Sequence, residues 1–107
     1  MAQTLKGVDA DTAARLQGDG ALLVDVREDG EYAQAHIPGS ELVPLSRFEA
    51  SELSLSPGQA VVFFCASGNR TNVHAARLAA KAGGADAYVM QGGIAAWWQA
   101  GLPVETG

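Results

Sequence analysis

Residues 61–84, VVFFCASGNRTNVHAARLAAKAGG, pass through three kinds of local sequence. An apolar run of β-branched and aromatic residues, 61–64, leads into Cys65, the only cysteine of the chain. A polar loop containing Gly68 follows, and residues 70–82 then place small and apolar side chains at helical spacing before Gly83-Gly84. A short continuous apolar run reads as a strand buried on both faces, and a glycine pair is a helix stop. The stretch therefore reads as strand, loop and helix, the repeating unit of an α/β domain.

The pattern continues on both sides. ALLVDV (21–26) is a second buried strand beside AVVFFC (60–65), and DAYVM (86–90), ELVPL (41–45) and TLKGV (4–8) are further strand candidates. Pro44 keeps 41–45 short or at a sheet edge, because proline cannot donate to the ladder. Helices are expected over 10–17, behind Asp9 or Asp11 as N-cap, and over 28–35, which opens with acidic residues suited to a helix N-terminus. Residues 46–53 suggest a short helix, and 93–100 another that stops at Gly101 with Pro103 beyond. Strands alternating with helices imply a mostly parallel sheet, with chemistry placed where loops leave the carboxyl ends of the strands. Cys65 occupies such a place.

Composition narrows the function. The 107 residues suit one domain, spanning 1–107, and hydrophobic residues at 48% against 18% charged describe a globular chain. A single cysteine leaves no internal disulfide, no dithiol redox pair and no thiolate cluster for zinc within the chain. The two histidines, His36 and His74, lie far apart in sequence, so no metal site is expected, and no cofactor is called for. The net charge of −5 argues against nucleic acid or an anionic membrane as partner. No apolar run approaches the roughly 18 residues of a membrane span. The opening MAQTLKGVDA lacks the apolar centre of a signal peptide, which makes the cytoplasm the expected compartment. A periplasmic protein expressed without its signal would read the same way.

The loop after Cys65 can alter the chemistry of the thiol. A thiol becomes a good nucleophile as thiolate, and its pKa near 8.5 falls at a helix N-terminus or beside cations. If Gly68 takes a positive φ, successive N–H groups of 66–70 curl round the sulfur as an anion nest. Arg70, His74, Arg77 and Lys81 fall on one helical stripe and would make a locally basic mouth, or a solvated face, which is the expectation for Arg77 and Lys81. On spacing alone, Cys65 fits a nucleophile and a buried structural cysteine alike, since free cysteine is among the most buried residue types.

VDVRE (24–28) with EYAQAHIPGS (31–40), CASGNRT (65–71) and QGGIAAWWQAGLPV (91–104) together resemble the signatures of rhodanese-like domains, in the family's order and spacing over about residues 4–105. The resemblance implies a three-layer α/β/α sandwich around a five-stranded, mostly parallel sheet. It also implies a sulfurtransferase that passes a sulfane sulfur from thiosulfate or a persulfide to cyanide or a thiol. On this likeness Cys65 is catalytic and forms a persulfide. The amides of Ala66, Ser67, Gly68, Asn69 and Arg70 cradle the substrate, and the Arg70 side chain can meet the donor's anionic group. A persulfide-carrying protein is a further candidate partner. Asp25 and Arg27 are expected to pair structurally, His36 to order the turn at Pro38-Gly39, His74 to lie exposed, and Trp97 and Trp98 to anchor the last helix.

Two other classes stay in view. Cysteine phosphatases and some arsenate reductases space five residues between cysteine and arginine, whereas four separate Cys65 from Arg70. A non-catalytic rhodanese-like binding module is the other alternative. Ala66 and Ser67 are uncharged where thiosulfate-specialised members can carry basic side chains, so detectable but weak thiosulfate turnover is expected.

Overall fold

The computed structural model describes residues 5–106. Five strands form one all-parallel sheet in the order β1-β5-β4-β2-β3: β1 Lys6–Val8, β2 Leu22–Asp25, β3 Glu41–Leu42, β4 Val61–Phe64 and β5 Ala87–Met90. The helices are α1 Ala10–Gly18, α2 Asp29–Gln34, α3 Asn69–Val73, α4 Ala75–Ala82 and α5 Gly93–Gln99. The expected strand over 4–8 begins at Lys6 within the described residues, and Thr4 lies outside them. Pro44 follows β3 closely, and β3 is the short edge strand its position implies.

The sheet is buried because its strands are apolar on both sides. Along β4, Val61 and Phe63 face one layer with Leu78, Ala82 and Phe48, while Val62 and Phe64 face the other with Ala13, Met90 and Trp97. This period-two alternation puts Cys65 in the first layer, beneath α3 and α4. Trp97 is buried and donates its indole N–H to the Pro103 carbonyl at 2.8 Å, fixing α5 to the chain that follows. Trp98 is not an anchor: it stands exposed on α5.

Asp9 is the N-cap of α1, its carboxylate accepting from the Thr12 amide at 2.8 Å. Two helical expectations need correction. Residues 46–53 do not form an α-helix but a single 3₁₀ turn, Leu45–Arg47, followed by irregular chain. Side chains compete with the backbone there: Ser46 donates to Glu28 at 2.6 Å and Ser51 to the Arg47 carbonyl at 2.8 Å. The helix expected over 70–82 is two helices meeting at His74, whose φ of −104° and ψ of 22° leave helical geometry. α3 stays with the Cys65 loop while α4 lies on the sheet through Leu78 and Ala82, and the bend lets each do so. The basic stripe is accordingly split. Arg70 pairs with Glu31, whereas Arg77 pairs with Glu49 and, with Lys81, covers the face of Phe48. His74 is half-buried at the bend, its Nδ1 3.2 Å from Arg77 Nη1.

Asp25 and Arg27 are buried and bonded to each other, with Nη2 to Oδ2 at 2.7 Å, and Arg27 also donates to the Ala35 carbonyl at 2.7 Å. His36 stacks on Tyr32 and bonds through its ring to the Tyr32 carbonyl and to Glu105, both at 3.0 Å. It thus ties the turn after α2 to the end of the chain. Removing one partner of a buried ion pair strands the other charge, which costs about 3–5 kcal/mol. Arg27→Met is therefore expected to lose about that much in chemical denaturation, and a loss indistinguishable from zero would contradict the assigned role of the pair.

Candidate active site

β4 ends at Phe64, and the next residue carries the sulfur. The chain turns at Gly68, whose φ of +94° is open to glycine and strained for other residues. That turn brings the Gly68 amide to 3.2 Å from Cys65 Sγ. The Ser67 and Thr71 amides also act on the sulfur, and the buried Thr71 hydroxyl lies 3.8 Å from it. The single Thr71 hydroxyl proton has a second acceptor in reach, the Gly68 carbonyl at 3.0 Å.

These donors oppose a cost. Cys65 has no exposed surface, and burial pushes its thiol up because a charged sulfur is harder to accommodate away from water. The Thr71 amide and hydroxyl, with the Gly68 and Ser67 amides, pull it down further than burial raises it. The net direction is a thiol more acidic than an ordinary one. Burial and activation coexist here because the buried surroundings include oriented peptide hydrogens as well as hydrocarbon.

Arg70 reaches away from α3 to α2. Its two terminal nitrogens bond both Glu31 carboxylate oxygens, at 2.7 and 2.8 Å. Glu31 also accepts the Glu28 amide at 3.1 Å, as the third residue of a capping box at the start of α2. The Arg70 guanidinium holds the Glu31 carboxyl down at about 2, against an ordinary 4.5. Arg70 is raised chiefly by Glu31, and its side chain is also in electrostatic contact with Cys65.

Of the residues expected to form the site, Ser67 and Gly68 turn amides to Cys65, Ala66 is held through its carbonyl by the Ala95 amide, and Asn69 opens α3. Arg70 is beside the sulfur but already paired. Sequence reading passed over Thr71 and Glu31. Thr71 could have been found as a hydroxyl residue in the first turn of the helix after the cysteine; nothing local links Glu31 to a loop 39 residues away. A cleft of about 240 Å³ adjoins the loop, lined by Ser67, Gly68, Thr71, Asn72, Val89, Gln91 and Gly92, none of them charged. A hollow of about 450 Å³ beside Phe48, Arg77 and Lys81 shares no lining residue with the loop. Among the described residues, no group of His, Cys, Asp or Glu gathers as metal ligands would, and no helix is long and apolar enough to cross a membrane.

Comparison with known proteins adds a family. The model of the rhodanese-like domain matches residues 9–100. The chain is 32% identical over 101 residues to a thiosulfate sulfurtransferase of Pseudomonas fluorescens, covering 94% of this chain and 91% of that one. It is 40% identical over 87 residues to an uncharacterized protein of Synechocystis, covering 81% of this chain but 48% of that protein, so it spans about half of that relative's length. The crystal structure of a rhodanese-related protein from Thermoplasma volcanium superposes with a TM-score of 0.78 at 26% identity, over 94% of this chain and 97% of the other.

Two titrations follow from this geometry. The thiolate absorbance of the sole cysteine should appear with a midpoint below that of an ordinary cysteine thiol, and Thr71→Val, which removes the hydroxyl beside the sulfur, should move the midpoint up. A parent midpoint above the ordinary value would contradict the cradle. Glu31, depressed when folded, supports the fold fully above about 4.5 and loses that support as pH falls through about 2. Acid unfolding of Glu31→Gln, followed by circular dichroism, should accordingly be less steep than that of the parent across this window.

Proposed function

Because this chain belongs to the rhodanese-like domain family, we propose that it is a sulfurtransferase in which Cys65 carries the transferred atom. The observation that supports the reading most is the Gly68 amide directed at Cys65 Sγ at 3.2 Å, at the carboxyl end of a buried central strand. The Cys65 thiolate attacks the outer sulfur of an anionic donor. With thiosulfate, the new bond joins Sγ to that sulfur, the old sulfur–sulfur bond breaks, and its electron pair leaves with sulfite. The negative charge then rests on the terminal sulfur of the persulfide, where the amides of Ser67, Gly68 and Thr71 are suited to receive it. A thiolate or cyanide takes the terminal sulfur, the pair in the broken bond returns to Sγ, and Cys65 is a thiolate again. The cycle needs no outside oxidant or reductant and no second cysteine.

Donor choice follows from charge. Arg70 is the cation of the loop, and Glu31 occupies both arms of its fork. The adjoining cleft offers amides and hydroxyls without formal charge. A doubly charged donor therefore finds little uncompensated positive charge, and a singly charged persulfide, free or carried on a protein, suits the site better than thiosulfate. Because Cys65 has no exposed surface, sulfur transfer on this reading requires the side chains over the sulfur to move aside for donor and acceptor. A sulfur that must return as free thiolate suits a reducing compartment, and the cytoplasm is the compartment proposed.

The closed sulfur is also what favours a second reading, a binding module that no longer turns over. Intact mass separates the two. Incubation with thiosulfate or glutathione persulfide should add roughly 32 Da, removable by cyanide and absent in Cys65→Ser. No added mass with any donor would support the module. Across donors, kcat/KM should be higher for the persulfide than for thiosulfate, and Glu31→Gln, which frees Arg70, should raise the thiosulfate value selectively. An unchanged ratio would contradict the charge argument.

A further inference from the structure

The turn at the head of α5 is built from Gly92 and Gly93, with φ of +78° and +59°, two successive residues in the left-handed region. It sits against the Cys65 loop. A Cβ at Gly93 would overlap the Cys65 carbonyl oxygen and the Ala66 carbonyl group, and one at Gly68 would come to 3.1 Å from the Gly92 nitrogen. Glycine at these positions lets two backbone segments lie in contact.

The contact is directional. The Ile94 amide donates to the Cys65 carbonyl at 2.9 Å and the Ala95 amide to the Ala66 carbonyl at 3.1 Å. The first intrahelical bond of α5 is made by Ala96, to the Gly92 carbonyl at 3.1 Å, so the donors at 94 and 95 are the free amides of a helix start. A peptide unit is planar, and its C=O and N–H point in opposite directions. Holding the Ala66 carbonyl toward α5 therefore aims the Ser67 N–H the other way. That N–H is one of the groups that lower the Cys65 thiol.

We propose that Gly93, through the Ile94 and Ala95 amides it brings against the Cys65 and Ala66 carbonyls, is a positioning residue that fixes the Ala66–Ser67 peptide so that the Ser67 N–H faces the Cys65 sulfur. The consequence for the rate of persulfide formation rests on the sulfurtransferase reading, but the acidity of the thiol can be measured without it. α5 then does more than cover the sheet: its first turn is a splint for a loop of a different strand, held at its other end by buried Trp97.

The test compares Gly93→Ala with Gly101→Ala. Both place a side chain at positive φ near an end of α5, but a Cβ at Gly101 meets nothing within 4 Å. Thiolate absorbance against pH should show the Cys65 midpoint of Gly93→Ala raised, leaving about tenfold less thiolate at neutral pH, with Gly101→Ala matching the parent. Persulfide formation by Gly93→Ala should fall by a similar factor at neutral pH and recover as pH passes the new midpoint, a recovery that simple loss of structure would not give. A folded Gly93→Ala with the parent's midpoint overturns the proposal. If Gly93→Ala does not fold, Ala95→Pro decides: in the exposed first turn of α5 it breaks no bond within the helix, while it removes the N–H to the Ala66 carbonyl and sets the proline ring against that oxygen. Its midpoint should also rise, and an unchanged one overturns the proposal. A parent that forms no persulfide while Gly93→Ala still shifts the midpoint would end the sulfurtransferase reading and leave the positioning role intact.

Discussion

A negative charge on sulfur has to be balanced when water is excluded, and in this molecule peptide hydrogens do the balancing. The Gly68 amide at 3.2 Å from Cys65 Sγ and the neighbouring amides of Ser67 and Thr71, together with the Thr71 hydroxyl, outweigh the burial that works against the thiolate. A hydrogen bond to a charged partner contributes about 1.5–3 kcal/mol, so two or three of them compete with a desolvation penalty of several kcal/mol. Remove the orientation of those amides and the same pocket becomes a place for an inert thiol.

The rest of the fold can be understood as fixing that orientation from separate directions. The central strand β4, flanked by β2 and β5, sets the height and face of Cys65. From below, α5 holds two loop carbonyls. From the side, Glu31 of α2 holds Arg70 just beyond the loop, and the capping box that fixes Glu31 also starts α2. The buried Asp25–Arg27 pair, bonded on to the Ala35 carbonyl, binds the end of β2 to the chain beyond α2. A loop of small residues has little rigidity of its own, and each of these contacts comes from an element whose position the hydrophobic core determines.

Much of this was legible in the sequence. The apolar runs at 21–26 and 60–65 read as interior strands, which form over Leu22–Asp25 and Val61–Phe64, and strand–helix alternation implied the parallel sheet. Cys65 with Gly68 and the following helix suggested a loop curling its amides toward the sulfur, and the positive φ of Gly68 with its amide near Cys65 Sγ is the part of that expectation seen directly. What stayed hidden was non-local. Glu31 lies in a segment that reads locally as an ordinary helix start, and its meeting with Arg70 depends on how two helices pack. The bend at His74 arises because α3 and α4 answer to different neighbours, a conflict invisible to helical periodicity. Gly93 read as part of a signature; only the approach of Cys65 and Ala66 shows why a side chain does not fit there.

The most direct test of the central claim is to watch the peptide hydrogens while the sulfur ionises. Proton–nitrogen NMR spectra recorded across the thiol titration should show the amides of Ser67, Gly68 and Thr71 shifting downfield with one shared midpoint, the midpoint of the Cys65 thiol, and should show no such transition in Cys65→Ser. Amide signals that stay still while Cys65 loses its proton would mean that those hydrogens do not hold the sulfur, and the account would fail.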